Sequence, residues 1–125
     1  MGFWVYMLIS ALLIPLIMII FGRYFSKKAP KDINYIFGYR TAMSTKNEET
    51  WEFAHKHFGK TWFTAGMILL PVTVAVMLAL LGQDEDTVGY AGTAIMFVQT
   101  ALLIILIIPT ESALKKNFDK DGNRK

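Results

Sequence analysis

Glu48, Glu52 and His55 are the residues of this chain whose types and spacing could do chemistry. On a helix, Glu52 lies one turn before His55 and Glu48 two turns before it, so the three fall near one face. Carboxylates and an imidazole placed this way can hold a divalent metal or pass a proton, and Glu-x-x-His recurs in metal-binding helical bundles. A single copy supplies only part of such a site. The competing reading is a histidine hydrogen-bonded locally by its neighbours, with no cofactor, and a divalent metal stands as the alternative. His57 falls on another face and is expected to be solvated. The chain has no cysteine, hence no thiolate ligand and no cysteine nucleophile. Nucleophile motifs and glycine-rich phosphate loops are also missing, which makes an enzyme the less favoured class.

A second set is Ser10, Thr73 and Gln99, polar residues inside long apolar runs. Each lies within about 3 Å of the middle of its run at helical rise. A glutamine amide facing lipid would leave donors and acceptors unmet at a cost of several kcal/mol, so Gln99 is expected to point inward or to another subunit. Two roles are open. These residues either hydrogen-bond helix to helix at about 1 kcal/mol per contact, or form a mid-membrane binding position. The second role would suit a small oligomeric transporter, since three helices enclose little volume. The runs carry no charge, which argues against a proton-coupled pump.

Those runs are 2–21, 61–81 and 88–108, and none contains Asp, Glu, Lys, Arg or His. Each is long enough to cross a hydrocarbon core of roughly 30 Å. With 54% of the chain hydrophobic and 18% charged, a water-soluble domain of 125 residues would expose large apolar patches. The first run lacks a basic leader and passes directly into Arg23, Lys27 and Lys28, so it reads as a retained helix rather than a cleaved signal. The expected fold is an all-α membrane protein, a single domain over 1–125 with three transmembrane helices. Gly59, Gly66 and Thr73 on the second helix, and Gly89, Gly92, Met96, Gln99 and Leu103 on the third, mark packing faces. Pro15 and Pro71 tend to kink their helices.

Charge sets the expected orientation. The loop 23–60 carries eight basic residues and the tail 110–125 carries the other five, while the link 82–87 has none and is acidic. Basic loops are retained on the cytoplasmic side, so the N-terminus is expected outside and the C-terminus inside. This also accounts for the net charge of +3 without nucleic acid: basic residues beside a bilayer attract anionic lipids.

The loop 23–60 is too long for a plain connector. Ser44 to Glu48 reads as a helix start, with Thr45 and Glu48 at capping-box spacing. Trp51, His55, Phe58 and Trp62 then share a stripe, with Lys46, Glu49 and Lys56 largely opposite. The expectation is a cytoplasmic interfacial helix between helices one and two, lying on the membrane surface or against the bundle, with Trp51 and Trp62 at the interface. Arg40 can pair with Glu48 or Glu52, or grip lipid phosphate.

Asn34, then Gly38-Tyr39-Arg40-Thr41, then Ser44, Glu48, Trp51 and His55, with Gly59-Lys60 entering a membrane helix, resembles the SdpI family in a short three-helix form. The resemblance implies a multi-pass protein of the bacterial cell membrane that gives immunity to a membrane-active peptide toxin. It also implies signalling in which a regulator protein is held at the membrane. Asn34, Arg40, Trp51 and His55 would then build a cytoplasmic cap. A homo-oligomer is compatible with it.

Overall fold

The structure, a computed structural model, describes residues 2–27, 29 and 39–125. It is helical: α1 spans Gly2–Lys27, α2 Glu48–Ala79, α3 Glu85–Ile105 and α4 Ile107–Asn117. The last two run end to end through Leu106, so among the described residues three helical rods are long and apolar enough to cross a membrane. Among the described residues the β-type pairing is one isolated bridge between Phe118 and Arg124.

The helices begin where capping chemistry puts them. Asn47 is extended, its Oδ1 accepts from Thr50 N at 2.8 Å, and Thr50 Oγ1 accepts from Asn47 N at 3.0 Å. Glu48 and Glu49 complement the positive end of the helix dipole. This corrects the expected box of Thr45 with Glu48. The Thr45 hydroxyl donates instead to Thr41 O at 2.9 Å and closes the preceding turn, leaving Asn47, the better cap, to start the helix. At the far end, Gly82 takes φ +87, and Asp84 Oδ1 accepts from Thr87 N at 2.9 Å to open α3.

α2 is one unbroken rod of 32 residues, about 48 Å long, so its first turns project well past a hydrocarbon core. The expected interfacial segment is therefore helical but is not a separate helix turning into helix two. No proline interrupts residues 48–70, and Gly59 serves close packing rather than a bend. A Cβ on Gly59 would meet Gly22 O at 2.7 Å, and one on Gly22 would meet Phe63 N at 2.5 Å. Here α1 and α2 touch backbone to backbone. Gly66 continues the seam against Met18 and Ile19, and Thr73 lies one further heptad along, buried. α1 answers with Met7, Ala11, Pro15, Met18, Gly22 and Phe25, a stripe at steps of three and four. Pro15 and Pro71 sit inside helices that continue across them.

Two clusters occupy the two ends of the bundle. Met7, Ala11, Met77 and Val88 pack near the acidic link. Tyr39, Ala54, Phe58, Leu114 and Phe118 pack at the basic end, where burial from water drives association at about 1.5–3 kcal/mol per large side chain. Between them the outward faces carry Ile9, Leu13, Ile20, Ile68, Phe97 and Ile104, all exposed, as lipid-facing residues are.

Candidate functional site

The projecting turns of α2 carry the stripe Trp51, His55, Phe58 and Trp62, and the stripe faces the bundle. Trp51 is 3% exposed and His55 fully buried. Trp51 is thus not an interfacial anchor; its ring lies 4.2 Å from that of His55, centroid to centroid. Phe25 of α1 approaches the same imidazole edge-on at 5.0 Å.

The segment 39–45 folds down onto this stripe. Tyr39 N–H donates to His55 Nε2 at 2.8 Å, and His55 Nδ1 lies 2.8 Å from Trp51 O. A carbonyl only accepts, so Nδ1 carries the hydrogen and Nε2 the lone pair: His55 is a neutral imidazole. It lies on the solvent side of the apolar stretch of α2, and burial holds its pKa below the ordinary histidine value, in accord with that tautomer.

Thr41 and Ser44 lock the turn reciprocally. Thr41 N donates to Ser44 Oγ at 2.8 Å and Ser44 N to Thr41 Oγ1 at 3.2 Å. Ser44 is fully buried, its hydroxyl is shared between the carbonyls of Tyr39 and Thr41, and its own carbonyl accepts from Thr50.

Glu111 of α4 completes the arrangement. Its Oε2 accepts from the Tyr39 hydroxyl at 2.7 Å and from Thr41 Oγ1 at 2.8 Å. Burial and this carboxylate push the Tyr39 phenol far above its usual range. Glu111 lies outside the motif, and Tyr39 enters it only as part of the run Gly38-Tyr39-Arg40-Thr41. The available signal was register: Ile107, Glu111, Leu114 and Phe118 recur at steps of four, three and four, and Glu111 is the first carboxylate after the third apolar run.

The structure does not bring the expected metal ligands together. Glu48 and Glu52 are exposed, Glu52 Oε1 sits 3.7 Å from Lys56 Nζ, and both nitrogens of His55 are occupied. Among the described residues no group of three metal-ligating side chains gathers. The Glu-x-x-His spacing is real, but the loop claims the imidazole first. His57 is not simply solvated either, since its Nδ1 lies 3.1 Å from Thr110 Oγ1. Arg40 is exposed beside the turn. Asn34 and Gly38 lie outside the described residues.

Of the midplane set, two residues meet. Gln99 is fully buried, and its Nε2 donates to Ala11 O at 2.9 Å and to Thr73 Oγ1 at 3.0 Å. Its Oε1 is buried without a partner. Ser10 stands apart and donates to Tyr6 O within its own helix at 2.9 Å. It is one position, about 100°, off the Met7–Ala11 stripe, so the backbone carbonyl of Ala11 takes the place expected for it.

A sequence profile of the SdpI/YfhL protein family matches residues 31–110, well over half of the chain. The chain belongs to the SdpI/YfhL family. No curated protein and no solved structure matches it. This SdpI/YfhL protein is a membrane protein, and the matched span takes in the motif turn, all of α2 and α3 and the first turn of α4. Glu111, which clamps the turn from α4, stands one residue beyond it.

Proposed function

We propose that this protein gives a bacterial cell resistance to a membrane-active antimicrobial peptide, by binding the peptide or shielding its target at the bilayer. In this reading it crosses the cell membrane three times, with the N-terminus outside and the clamped turn in the cytoplasm, as the confinement of basic residues to the loop and tail supports. The observation that carries the proposal is the overlap of the family match with the clamp of Tyr39, Thr41, Ser44 and His55. The groove beside that clamp gives further support. It encloses about 450 Å³, walled by Phe25, Tyr39, Phe58, Trp62, Leu103 and Ile107, and its apolar aromatic walls suit a hydrophobic peptide segment.

The test is survival of a peptide-sensitive bacterial host expressing the protein, challenged with a panel of membrane-active peptides. Protection is expected against at least one peptide, and it should fall when Phe58 and Trp62 are changed to Ala in protein that still reaches the membrane. Full sensitivity to every peptide, with the protein present at normal abundance, would refute the proposal.

A further inference from the structure

The tail after α4 turns back on itself. Asp119 N donates to Asn123 O at 2.8 Å, Lys125 N to Asn117 O at 2.9 Å, and Gly122 takes φ +88 at the tip. This hairpin sorts the cations of the tail. Arg124 is directed to α2, where its Nε lies 2.6 Å from Glu49 Oε1 and its guanidinium stacks 5.0 Å over Phe118. Lys120 and Lys125 are brought round beside Lys115, and the three line one cavity of about 430 Å³ with Met43 and Phe118. Asp119 is the single side-chain carboxylate among the lining residues, and its Oδ1 already accepts from the backbone N–H of Asp121 and of Asn123. Among the described residues none of the three lysines is ion-paired. The side chains that line the pocket, three lysines and one partly satisfied carboxylate, carry a net positive charge.

Its depth says which anion fits. Lys115 lies seven residues past the last residue of the apolar run 88–108, or about 10 Å at helical rise, where the headgroups of a bilayer lie outside a core of roughly 30 Å. The side walls supplied by Met43 and by the buried ring of Phe118 are apolar, as a site for an amphiphile needs and one for a free inorganic ion does not.

We infer that Lys115, Lys120 and Lys125 form a binding site for the phosphate group of an anionic phospholipid, built by the folding of the tail hairpin. The site adjoins the clamped turn through Met43 but uses none of its hydrogen-bonding residues, and it is independent of the resistance reading. It also differs from general attraction between a basic tail and a membrane, because three particular lysines carry it.

Native mass spectrometry of the detergent-purified full chain, titrated with phosphatidylglycerol, tests this. One anionic lipid is expected to be retained in preference to phosphatidylcholine. The K115Q/K120Q/K125Q variant should weaken retention by roughly fivefold per lysine removed. R23Q/K27Q/K60Q removes the same charge from exposed positions elsewhere and should retain the lipid as the unaltered chain does. Equal losses in both triple variants would overturn the site in favour of diffuse attraction, and equal retention of phosphatidylcholine would overturn it too. Displacement by millimolar inorganic phosphate would overturn the lipid assignment. Melting temperature in lipid-free detergent shows whether either variant is folded; if the pocket triple is not, K120Q alone, on the exposed turn, is the deciding variant.

Discussion

Glu111 Oε2 lies 2.7 Å from the Tyr39 hydroxyl across 72 residues of chain, and the same oxygen accepts from Thr41. One carboxylate on α4 therefore fastens the turn that caps α2. Charge-assisted hydrogen bonds contribute about 1.5–3 kcal/mol each, less where water can reach them, as at this half-buried site. Glu111→Ala should lower stability by about 2 kcal/mol, and Glu111→Gln, which keeps an accepting oxygen, by about half as much. Chemical unfolding in detergent, followed by tryptophan fluorescence, measures both. Equal losses would mean that packing, not the acceptor, matters at this position.

His55 makes the clamp sensitive to acid. Protonation would put a hydrogen on Nε2, pointing at the Tyr39 N–H that now donates to it, and the rings packed on the imidazole, those of Trp51, Phe25 and Tyr39, bring no negative charge to compensate. Its folded-state pKa is depressed by burial, below an unfolded value near 6.5. The stability this provides is present in full above the unfolded value and is lost as pH falls through the lower folded one. His57 shifts the same way, through burial and then the neighbouring Lys60. Stability should thus decline on acidification from neutrality, and His55→Phe should flatten the decline more than His57→Gln. An unchanged pH profile in His55→Phe would contradict the tautomer assigned here.

In the bilayer centre, Gln99→Leu removes two donated hydrogen bonds but also the orphaned Oε1. The net loss should stay within about 1 kcal/mol, since hydrogen bonds between membrane helices average less than that. Thr73→Val should cost no more, and the double variant should be less destabilised than the sum of the two. A folded Gln99→Leu protein then reads the part this amide plays in the proposed peptide resistance, free of a folding defect.

The α1–α2 crossing should tolerate almost nothing. Gly59→Ala places a methyl group 2.7 Å from Gly22 O, so the helices must separate, at a cost of about 2–3 kcal/mol. Gly2→Ala, with nothing within 4 Å, should leave the melting temperature unchanged. If Gly59→Ala melts with the unaltered chain, this crossing is looser than described.

The three spanning rods were legible because runs without charge are a one-dimensional signal that lipid reads directly, and the Gly59–Gly66–Thr73 seam followed from small residues at a heptad step. The inward turn of Gln99 followed from its chemistry alone. What the sequence hid was competition for partners. Glu52 and His55 have ligand spacing, yet nothing local says that Tyr39 N–H takes Nε2 or that Lys56 takes Glu52. Glu111 was invisible for the same reason: its partners lie 70 and 72 residues away. The tail read as a string of cations, and only the folded hairpin shows Arg124 spent on Glu49 while three lysines turn to one cavity.

Thr73 and His55 ride on the same uninterrupted helix, 18 positions and about 27 Å apart. Pro71 lies between them, and because the helix continues across it the segment acts as a lever. A tilt of about 4° about Thr73 displaces His55 by about 2 Å, which is the difference between a hydrogen bond and a gap. Whatever wedges α2 aside in the middle of the bilayer is thereby felt at the Tyr39–His55 latch, outside the lipid, without any messenger between them.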